Sequence, residues 1–252
     1  MITIKTPTIN EEPLTLYERV LRLYNEKFHR HLILSDQDFW MFSKLAYRDD
    51  GCFQRFVRDK DRRRFCIAHF YSTDDGLQFY VILSRLTKDV VISFRGTDEW
   101  KDWLTNVQIL RGKKGQFQTA IRYLEQIFSL YPKHHFYLCG HSLGGALAQY
   151  LFVHFISEKD LVLKRAVTFN SAGVRLKQEP SYHDLPIDNY VIMRDIVGTI
   201  TGAHYGKVYQ CVPKTIKGKF DPITFHTHSL DQFMFDETGS VITAKQVTLE
   251  TG

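Results

Sequence analysis

The chain has no hydrophobic run long enough to cross a bilayer and no cysteine framework. A membrane-spanning helix needs about 20 consecutive apolar residues, and no stretch of the 252-residue sequence approaches that length. The four cysteines are widely scattered without a C-x-x-C pair, which favours free thiols in a reducing compartment. Low-complexity segments and internal repeats are also absent. These absences exclude a helical membrane span, a disulfide scaffold and a repeat architecture.

Targeting and charge signals are weak as well. Residues Met1–Asn10 lack the charged-then-apolar pattern of a secretory signal, so we expect a cytoplasmic protein by default, with export by a dedicated secretion system as the alternative. The net charge of +5 is small, and the most basic segment, Arg55–Arg64, is interrupted by Asp59 and Asp61. Such a segment is typical of a solvated surface, and no nucleic-acid-binding motif accompanies it. We expect no nucleic-acid partner, and keep transient contact with anionic lipid headgroups as a hypothesis.

What is present is the composition of a globular protein, with 44% hydrophobic and 24% charged residues. A chain of this length can bury one large core, and we expect residues 1–252 to form a single domain. Apolar residues at helical spacing from Leu16 to Phe28 predict that residues 1–34 form an N-terminal helical extension. Ser35 and Asp38 have the spacing of a capping box and predict the start of the next helix.

Short apolar segments then alternate with helical patterns. Strands are predicted at Cys66–Tyr71, Gln78–Arg85, Val90–Phe94, Phe136–Cys139, Ala166–Asn170 and Tyr190–Met193. Thr73–Gly76 has the composition of a hairpin turn, and an apolar stripe from Phe117 to Tyr131 predicts a helix that stops near Pro132. Alternating strands and helices imply a mostly parallel sheet, with an active site at the carboxyl ends of its strands.

The most informative motif is Gly140-His141-Ser142-Leu143-Gly144-Gly145, which lies between a predicted strand and a predicted helix. In that setting the glycines allow a sharp turn that presents the serine oxygen at the positive end of the helix, a nucleophile elbow. An ordinary glycine-rich turn is the alternative, but both flanks match the elbow. We therefore predict that Ser142 is a nucleophile and that the backbone N–H of Leu143 is one oxyanion donor.

A serine nucleophile needs a histidine base and a carboxylate that orients the histidine. Around such an elbow the chain order is serine, acid, histidine. Asp195 lies just past the predicted strand ending at Met193 and is our candidate acid. Asp184 and Asp188 precede that strand and fall at the wrong end of the sheet. A solvated loop aspartate or a helix cap is the alternative interpretation of Asp195.

Three downstream histidines are candidates for the base: His204, His226 and His228. His228 is favoured because it directly precedes Ser229–Phe233, which is predicted as a closing helix. The spacing of His226 and His228 also suggests a metal site, but no third ligand stands at a recognisable distance in sequence, so we expect no metal. Either histidine can instead be a hydrogen-bonded structural residue.

The second oxyanion donor should follow an earlier strand. Arg95-Gly96-Thr97 follows Val90–Phe94, and Thr97 offers both a backbone N–H and a hydroxyl. Thr97 is our candidate, and a turn with a capping threonine is the alternative. The segment alone does not decide between them.

Four motifs in this order resemble the class 3 lipases, the fungal-type lipases and their bacterial relatives: Ser93–Thr97, Trp103–Asn106, Gly140–Gly145 and Thr168–Gly173. The resemblance spans about Ser35 to Phe235, and Asp36–Tyr47 is similar to a bacterial lipase-like branch. It implies an α/β-hydrolase fold with a mostly parallel central sheet flanked by helices, no cofactor, and hydrolysis of carboxylic esters in lipids. By position it assigns Ser142, Asp195 and His228 to a catalytic triad, and Thr97 and Leu143 to the oxyanion hole.

Two features depart from the family pattern. Residues Asn106–Phe117 leave a short Gly-rich basic loop where the best-known members carry a helical lid, which argues against interfacial activation by a large lid. The acid lies in Met193-Arg194-Asp195-Ile196-Val197, whereas many members have Asn-Asp-Pro at this place.

We predict a serine hydrolase that acts on lipid or small ester substrates through an acyl-enzyme, as a lipase, phospholipase or esterase. An acyltransferase or thioesterase with the same triad is one alternative, and a noncatalytic lipid-binding protein is another. Trp100, Trp103 and the Val174–Asp188 loop are candidates for lining an acyl groove, and a core position is the alternative for Trp103. The sequence indicates neither the acyl chain length nor the oligomeric state.

Overall fold

The computed structural model of the protein describes residues 34–48, 64–97, 114–156, 162–174, 183–195, 197, 203–215 and 226–246. Several predictions lie outside these ranges. They concern the helical extension up to residue 33, the basic segment up to residue 63, Trp100 and Trp103, and the short basic loop up to residue 113.

A mixed sheet forms the centre of the fold. Among the described residues it has seven strands in chain order: β1 (Phe65–Ser72), β2 (Gln78–Ser84), β3 (Asp89–Phe94), β4 (His135–His141), β5 (Val162–Phe169), β6 (Ile187–Ile192) and β7 (Lys207–Cys211). The pairs β1–β2 and β2–β3 are antiparallel, and every pair from β3 to β7 is parallel. The prediction of a mostly parallel sheet is confirmed.

The turn between β1 and β2 forms where its sequence predicts it. Gly76 has a φ of 81°, a left-handed conformation that glycine adopts without steric cost. The turn is closed by a 2.9 Å hydrogen bond from the Thr73 N–H to the Leu77 carbonyl. This hairpin forms the antiparallel edge of the sheet, and parallel pairing begins between β3 and β4.

Helices cover both faces of the sheet: α1 (Asp36–Leu45), α2 (Lys114–Leu130) and α3 (Leu143–Phe155). The predicted capping box is present, because Ser35 accepts from the Asp38 N–H and Asp38 accepts from the Ser35 N–H. Side chains alternate along the buried strands: Val90 and Ile92 pack with α2 and α3, whereas Val91 packs with α1. Within the described ranges, no helix has the length and apolar character needed to cross a bilayer.

Two thiols buried in this core predict how stability depends on pH. Burial raises the pKa of Cys139 and of Cys211 from 9.0 to about 12. Above the lower value the unfolded chain releases protons that the folded protein retains, so the free energy of unfolding falls as the pH rises toward the higher value. The expected slope is about 1.4 kcal/mol per pH unit for each thiol.

Denaturant unfolding measured from neutral pH upward checks this dependence, and Cys139→Ala is expected to remove one thiol's share of the slope. An unfolding free energy that stays constant through the alkaline range contradicts the burial of both thiols.

Candidate active site

The parallel strands bring their carboxyl ends to one edge of the sheet. Phe94 of β3 is in register with Gly140 of β4, and His141 of β4 is in register with Phe169 of β5. The residues that follow these strands are therefore neighbours in space, although the chain separates them widely. Ser142 and Asp195 lie in this set, as expected for an active site on a parallel sheet.

Backbone strain concentrates at the same edge. Among the described non-glycine residues, those with positive φ are Ser142 at 57°, Asn170 at 43° and Arg194 at 69°. Each lies at or just beyond the carboxyl end of a parallel strand. Such conformations cost about 1–3 kcal/mol each and persist only where the surrounding structure holds them, which is typical of functional sites.

The elbow predicted around Ser142 is formed. Ser142 connects β4 directly to α3 with φ 57° and ψ −125°. Its N–H donates to the Phe169 carbonyl at 3.2 Å, and its own carbonyl accepts from the N–H groups of Gly145 and Ala146 at 3.1 and 3.2 Å. These bonds hold the strained residue between β5 and the first turn of α3.

Two glycines make this turn sterically feasible. A Cβ added at Gly140 would lie 2.5 Å from the Gly144 carbonyl oxygen, and a Cβ added at Gly144 would overlap the carbonyl oxygen of Phe94. The backbones of β3, β4 and α3 therefore approach closely only because these positions carry no side chain. The elbow motif thus depends on packing as well as on φ.

Leu143 is the first residue of α3, so its N–H belongs to the helical turn that has no intrahelical acceptors. This N–H lies at the positive end of the helix dipole, where negative charge is stabilised. Ser142 is 1% exposed and Leu143 3% exposed. Burial lowers the local dielectric constant, which strengthens any interaction between the helix terminus and a developing anion.

The segment that carries Thr97 passes beside the elbow. A Cβ added at Gly96 would overlap the Tyr47 hydroxyl, and it would lie 2.6 Å from the His141 carbonyl oxygen and 3.2 Å from the Ser142 Cβ. Gly96 is thus in close contact with the His141 carbonyl and the Ser142 side chain, and Thr97 is the next residue along. The structure brings the predicted second oxyanion segment to Ser142.

Gly96→Ala is therefore expected to displace Ser142 or the Gly96–Thr97 segment and to lower kcat by about 10²-fold, the effect of a misplacement of roughly 1 Å. Gly115→Ala is the matched control, because a Cβ there meets nothing within 4 Å. Steady-state kinetics of the two variants checks the prediction. An unchanged kcat in Gly96→Ala would show that the Thr97 segment has no part in the site.

Asp195 and His228 form a buried hydrogen-bonded pair. Asp195 Oδ1 and His228 Nδ1 are 2.9 Å apart, and the two side chains are 0% and 3% exposed. The left-handed turn at Arg194 lets the Asp195 N–H return to the Ile192 carbonyl at 2.9 Å. A carboxylate on Nδ1 places the imidazole proton there, so Nε2 carries the lone pair and is the basic nitrogen.

The rival candidates have other partners. Asp188 lies at the amino end of β6, where it accepts from Arg165 Nε at 2.7 Å. His226 Nε2 is bonded to the Thr215 hydroxyl at 2.8 Å, and His204 Nδ1 lies 3.3 Å from the Gln149 amide. Of the three candidate histidines, His228 is the one hydrogen-bonded to Asp195.

The two histidines whose sequence spacing suggested a metal site have different partners. His226 turns to Thr215 and Gln232, whereas His228 turns to Asp195. In the part of the chain that the structure describes, no three His, Cys, Asp or Glu side chains are arranged to hold a metal ion.

The prediction of a closing helix at Ser229–Phe233 is wrong. The segment forms a single 3₁₀ turn, Leu230–Gln232, in which the Ser229 hydroxyl accepts from the Asp231 N–H at 3.2 Å. Phe233 is already extended, and Phe235 then pairs with Val241 as an isolated bridge. After the single turn the chain is extended and pairs with Val241, so no longer helix forms.

Two buried residues that the sequence did not single out also contact the histidine segment. His141 Nε2 is 2.7 Å from the carbonyl of His228, and Asn170 Nδ2 is 2.9 Å from the carbonyl of Thr227. Each lies at the end of a parallel strand, but polar residues are common there. The one available signal was the histidine inside the elbow motif.

The structure describes parts of two further segments that the sequence singled out. Val174, at the start of the Val174–Asp188 loop proposed to line an acyl groove, is 8% exposed and packs in the core cluster, which Leu185 also contacts; residues 175–182 of that loop lie outside the described residues. Arg64, the last residue of the basic segment, donates from both terminal nitrogens to Asp38 at 2.8 and 2.9 Å. That guanidinium is committed to an ion pair at the start of α1.

Comparison with known proteins decides the family. The family model described as phospholipase-like, Tle-like phospholipase domain, matches residues 58–202, more than half of the chain. The chain belongs to the Tle-like phospholipase family. The match confirms the lipase-like family that the motifs predicted.

One curated relative and two solved structures are also similar to this chain. The extracellular phospholipase A1 of Serratia liquefaciens is 32% identical over 102 residues, which cover 40% of this chain and 30% of the relative. The Rhizomucor miehei lipase in complex with its propeptide has a TM-score of 0.55 at 19% identity, over 70% of this chain and 67% of that one.

A second solved structure is a triacylglycerol lipase whose catalytic centre is formed by a serine protease triad. Its TM-score is 0.54 at 19% identity, over 68% of this chain and 77% of that one. At this identity the likeness concerns the fold, and it confirms the predicted α/β-hydrolase fold for this member of the Tle-like phospholipase family.

Proposed function

We propose that the protein is a serine hydrolase that cleaves the carboxylic esters of phospholipids, with Ser142 as nucleophile, His228 as base and Asp195 as orienting acid. The observation that carries this proposal is the 2.9 Å bond between His228 Nδ1 and Asp195 Oδ1, buried at the same sheet edge as an elbow serine. The family match and the named activity of the Serratia relative support a phospholipid substrate.

The chemistry follows from these positions. Ser142 Oγ attacks the ester carbonyl while its proton passes to His228 Nε2, and Asp195 stabilises the resulting imidazolium. The tetrahedral oxyanion accepts hydrogen bonds from the backbone N–H of Leu143 and from Thr97. Collapse breaks the ester bond, and the lysophospholipid alcohol leaves with the proton from Nε2. Water then repeats the sequence on the acyl-enzyme and releases the fatty acid.

The alternatives make different products. An acyltransferase with this triad transfers the acyl group to an added alcohol or thiol. A thioesterase prefers a thioester substrate. An ester hydrolase releases free fatty acid even when an alcohol or thiol acceptor is present. Lipid binding alone requires neither a buried acid–histidine pair nor a strained serine at the same sheet edge. The buried pair therefore favours an enzyme, and product analysis with competing acceptors separates the enzyme classes.

The substrate experiment uses phosphatidylcholine vesicles whose two acyl chains differ in length. We expect free fatty acid and lysophospholipid by mass spectrometry with the wild type and neither product with Ser142→Ala. Release from the first glycerol position would match the A1 activity in the relative's name. Faster hydrolysis of triacylglycerol emulsions than of phospholipid would contradict the phospholipid assignment while retaining the serine mechanism.

A phospholipid substrate also implies where the protein works. It must meet a lipid surface transiently, and vesicle pelleting with and without anionic lipid measures that contact. Cytoplasmic location and export are both hypotheses for this chain, and the Serratia relative is extracellular. We also propose that residues 1–252 act as one domain, which limited proteolysis tests.

A further inference from the structure

Two consecutive carbonyl groups of the segment that carries His228 are held by buried side chains from different strands. We call residues 226–229 the base loop. The Thr227 carbonyl accepts from Asn170 Nδ2 at 2.9 Å, and the His228 carbonyl accepts from His141 Nε2 at 2.7 Å. Asn170 is 0% exposed and His141 7% exposed, so water does not compete with either bond.

The two anchored carbonyls lie on either side of one Cα atom. The Thr227 carbonyl belongs to the peptide plane before His228 Cα, and the His228 carbonyl belongs to the plane after it. Because each peptide unit is planar, fixing both carbonyls restrains the φ and the ψ of His228 together. The direction in which the imidazole leaves the backbone is thereby set by two bonds that do not involve the imidazole.

Asn170 connects the base loop to the strand that leads to the acid. Its Oδ1 accepts from the Ile192 N–H at 2.8 Å, while its own N–H donates to the Tyr190 carbonyl at 2.8 Å. Its φ of 43° is a left-handed conformation that asparagine tolerates better than most residues. The side-chain amide of Asn170 thus connects Thr227 to Ile192 at the end of β6. Ile192 lies three residues before Asp195.

His141 makes the second anchor through a fixed tautomer. Burial, and then the nearby His228, lower the pKa of His141 well below 6.5, so its ring is neutral. A carbonyl only accepts, so Nε2 carries the proton that is donated to His228. Nδ1 is then an acceptor for the Tyr47 hydroxyl at 2.6 Å. Tyr47 therefore locks the ring in the tautomer and orientation that the anchor requires.

We propose that Asn170 and His141 are positioning residues that clamp the base loop and thereby hold the His228 imidazole in line between Asp195 and Ser142. The effect of this clamp on kcat rests on the proposed function, whereas its effect on the position of the His228 imidazole does not. Misplacing a reacting group by roughly 1 Å costs about 10²-fold in rate. Losing one anchor is therefore expected to lower kcat without weakening substrate binding.

Asn170→Gly tests the first anchor. Glycine adopts the left-handed backbone at this position without strain, so the variant keeps the local fold and loses only the amide. His141→Phe tests the second anchor by removing the donor from a ring of similar shape, and His141→Gln restores a donor near the position of Nε2. Thr215→Val is the matched control, because Thr215 bonds to His226 at the start of the same loop but makes no part of the clamp.

Two readouts are needed. The first is the low-field proton NMR signal of the His228 Nδ1–H, assigned by its loss in His228→Gln. We expect the signal in the wild type and in Thr215→Val, and its broadening or loss through solvent exchange in Asn170→Gly and His141→Phe. The second is steady-state kinetics, in which we expect kcat to fall by about 30- to 100-fold with KM little changed, and partial recovery in His141→Gln.

The outcomes separate this proposal from the proposed function. A folded Asn170→Gly protein with an unchanged His228 signal and unchanged kcat would overturn the clamp, whatever happens in His141→Phe. A wild type that gives the NMR signal but hydrolyses no ester would overturn the proposed function. The clamp would in that case still be decided by the response of the signal in the two variants.

Discussion

Ser142→Ala is expected to lower kcat for ester hydrolysis by about 10⁴-fold or more, because removal of the nucleophile abolishes the acyl-enzyme pathway. The residual rate then comes from substrate binding and the oxyanion donors alone. Circular dichroism and thermal unfolding should show an intact fold, since the backbone bonds that hold the elbow do not involve the hydroxyl. Initial rates on a short-chain ester measure the loss.

Ser171→Ala is the control for this experiment. Ser171 is a buried serine near the same edge of the sheet, and its hydroxyl donates to the Ala172 carbonyl at 2.8 Å. We expect its kcat to stay at the wild-type level. Comparable activity in the wild type and in Ser142→Ala would remove Ser142 as the nucleophile and with it the proposed mechanism.

Replacing the two histidines one at a time separates their roles. His228→Ala is expected to lower kcat by about 10⁴-fold or more, because no base remains to take the serine proton. His226→Ala should retain most of the activity, since His226 is bonded to Thr215 and Gln232 and not to Asp195. Both variants delete an imidazole from the same short segment, so a difference between them reports on role.

Steady-state kinetics of the two variants, with folding checked by circular dichroism, shows which histidine is the base. Loss of turnover in His226→Ala together with retention in His228→Ala would reverse our assignment of the base.

The elbow was predictable because its determinants are local. A buried strand, two close-packing glycines and an apolar helix follow one another within a few residues of Ser142, so their geometry is implied by the sequence alone. Asp195 required topology as well, because the argument depends on which end of a parallel strand it follows. In the structure, Asp195 lies 2.9 Å from His228 at that end of the sheet.

The remaining parts of the site depend on contacts that sequence order does not reveal. His226 and His228 are two residues apart, and their different partners follow from the turn that runs between them. The clamp joins residues 57 and 87 positions apart in the chain. Periodicity cannot indicate such pairs. The closing helix failed for the same reason, since pairing of Phe235 with Val241 ends it after one turn.

The most direct measurement is the reaction of the protein with a fluorophosphonate, followed by mass mapping of the modified peptide. We predict a single adduct on Ser142, formed quickly in the wild type and much more slowly in Asp195→Asn, where the orienting carboxylate is lost. An adduct on another residue, or equal rates of modification in the two proteins, would contradict a serine activated by His228 and Asp195.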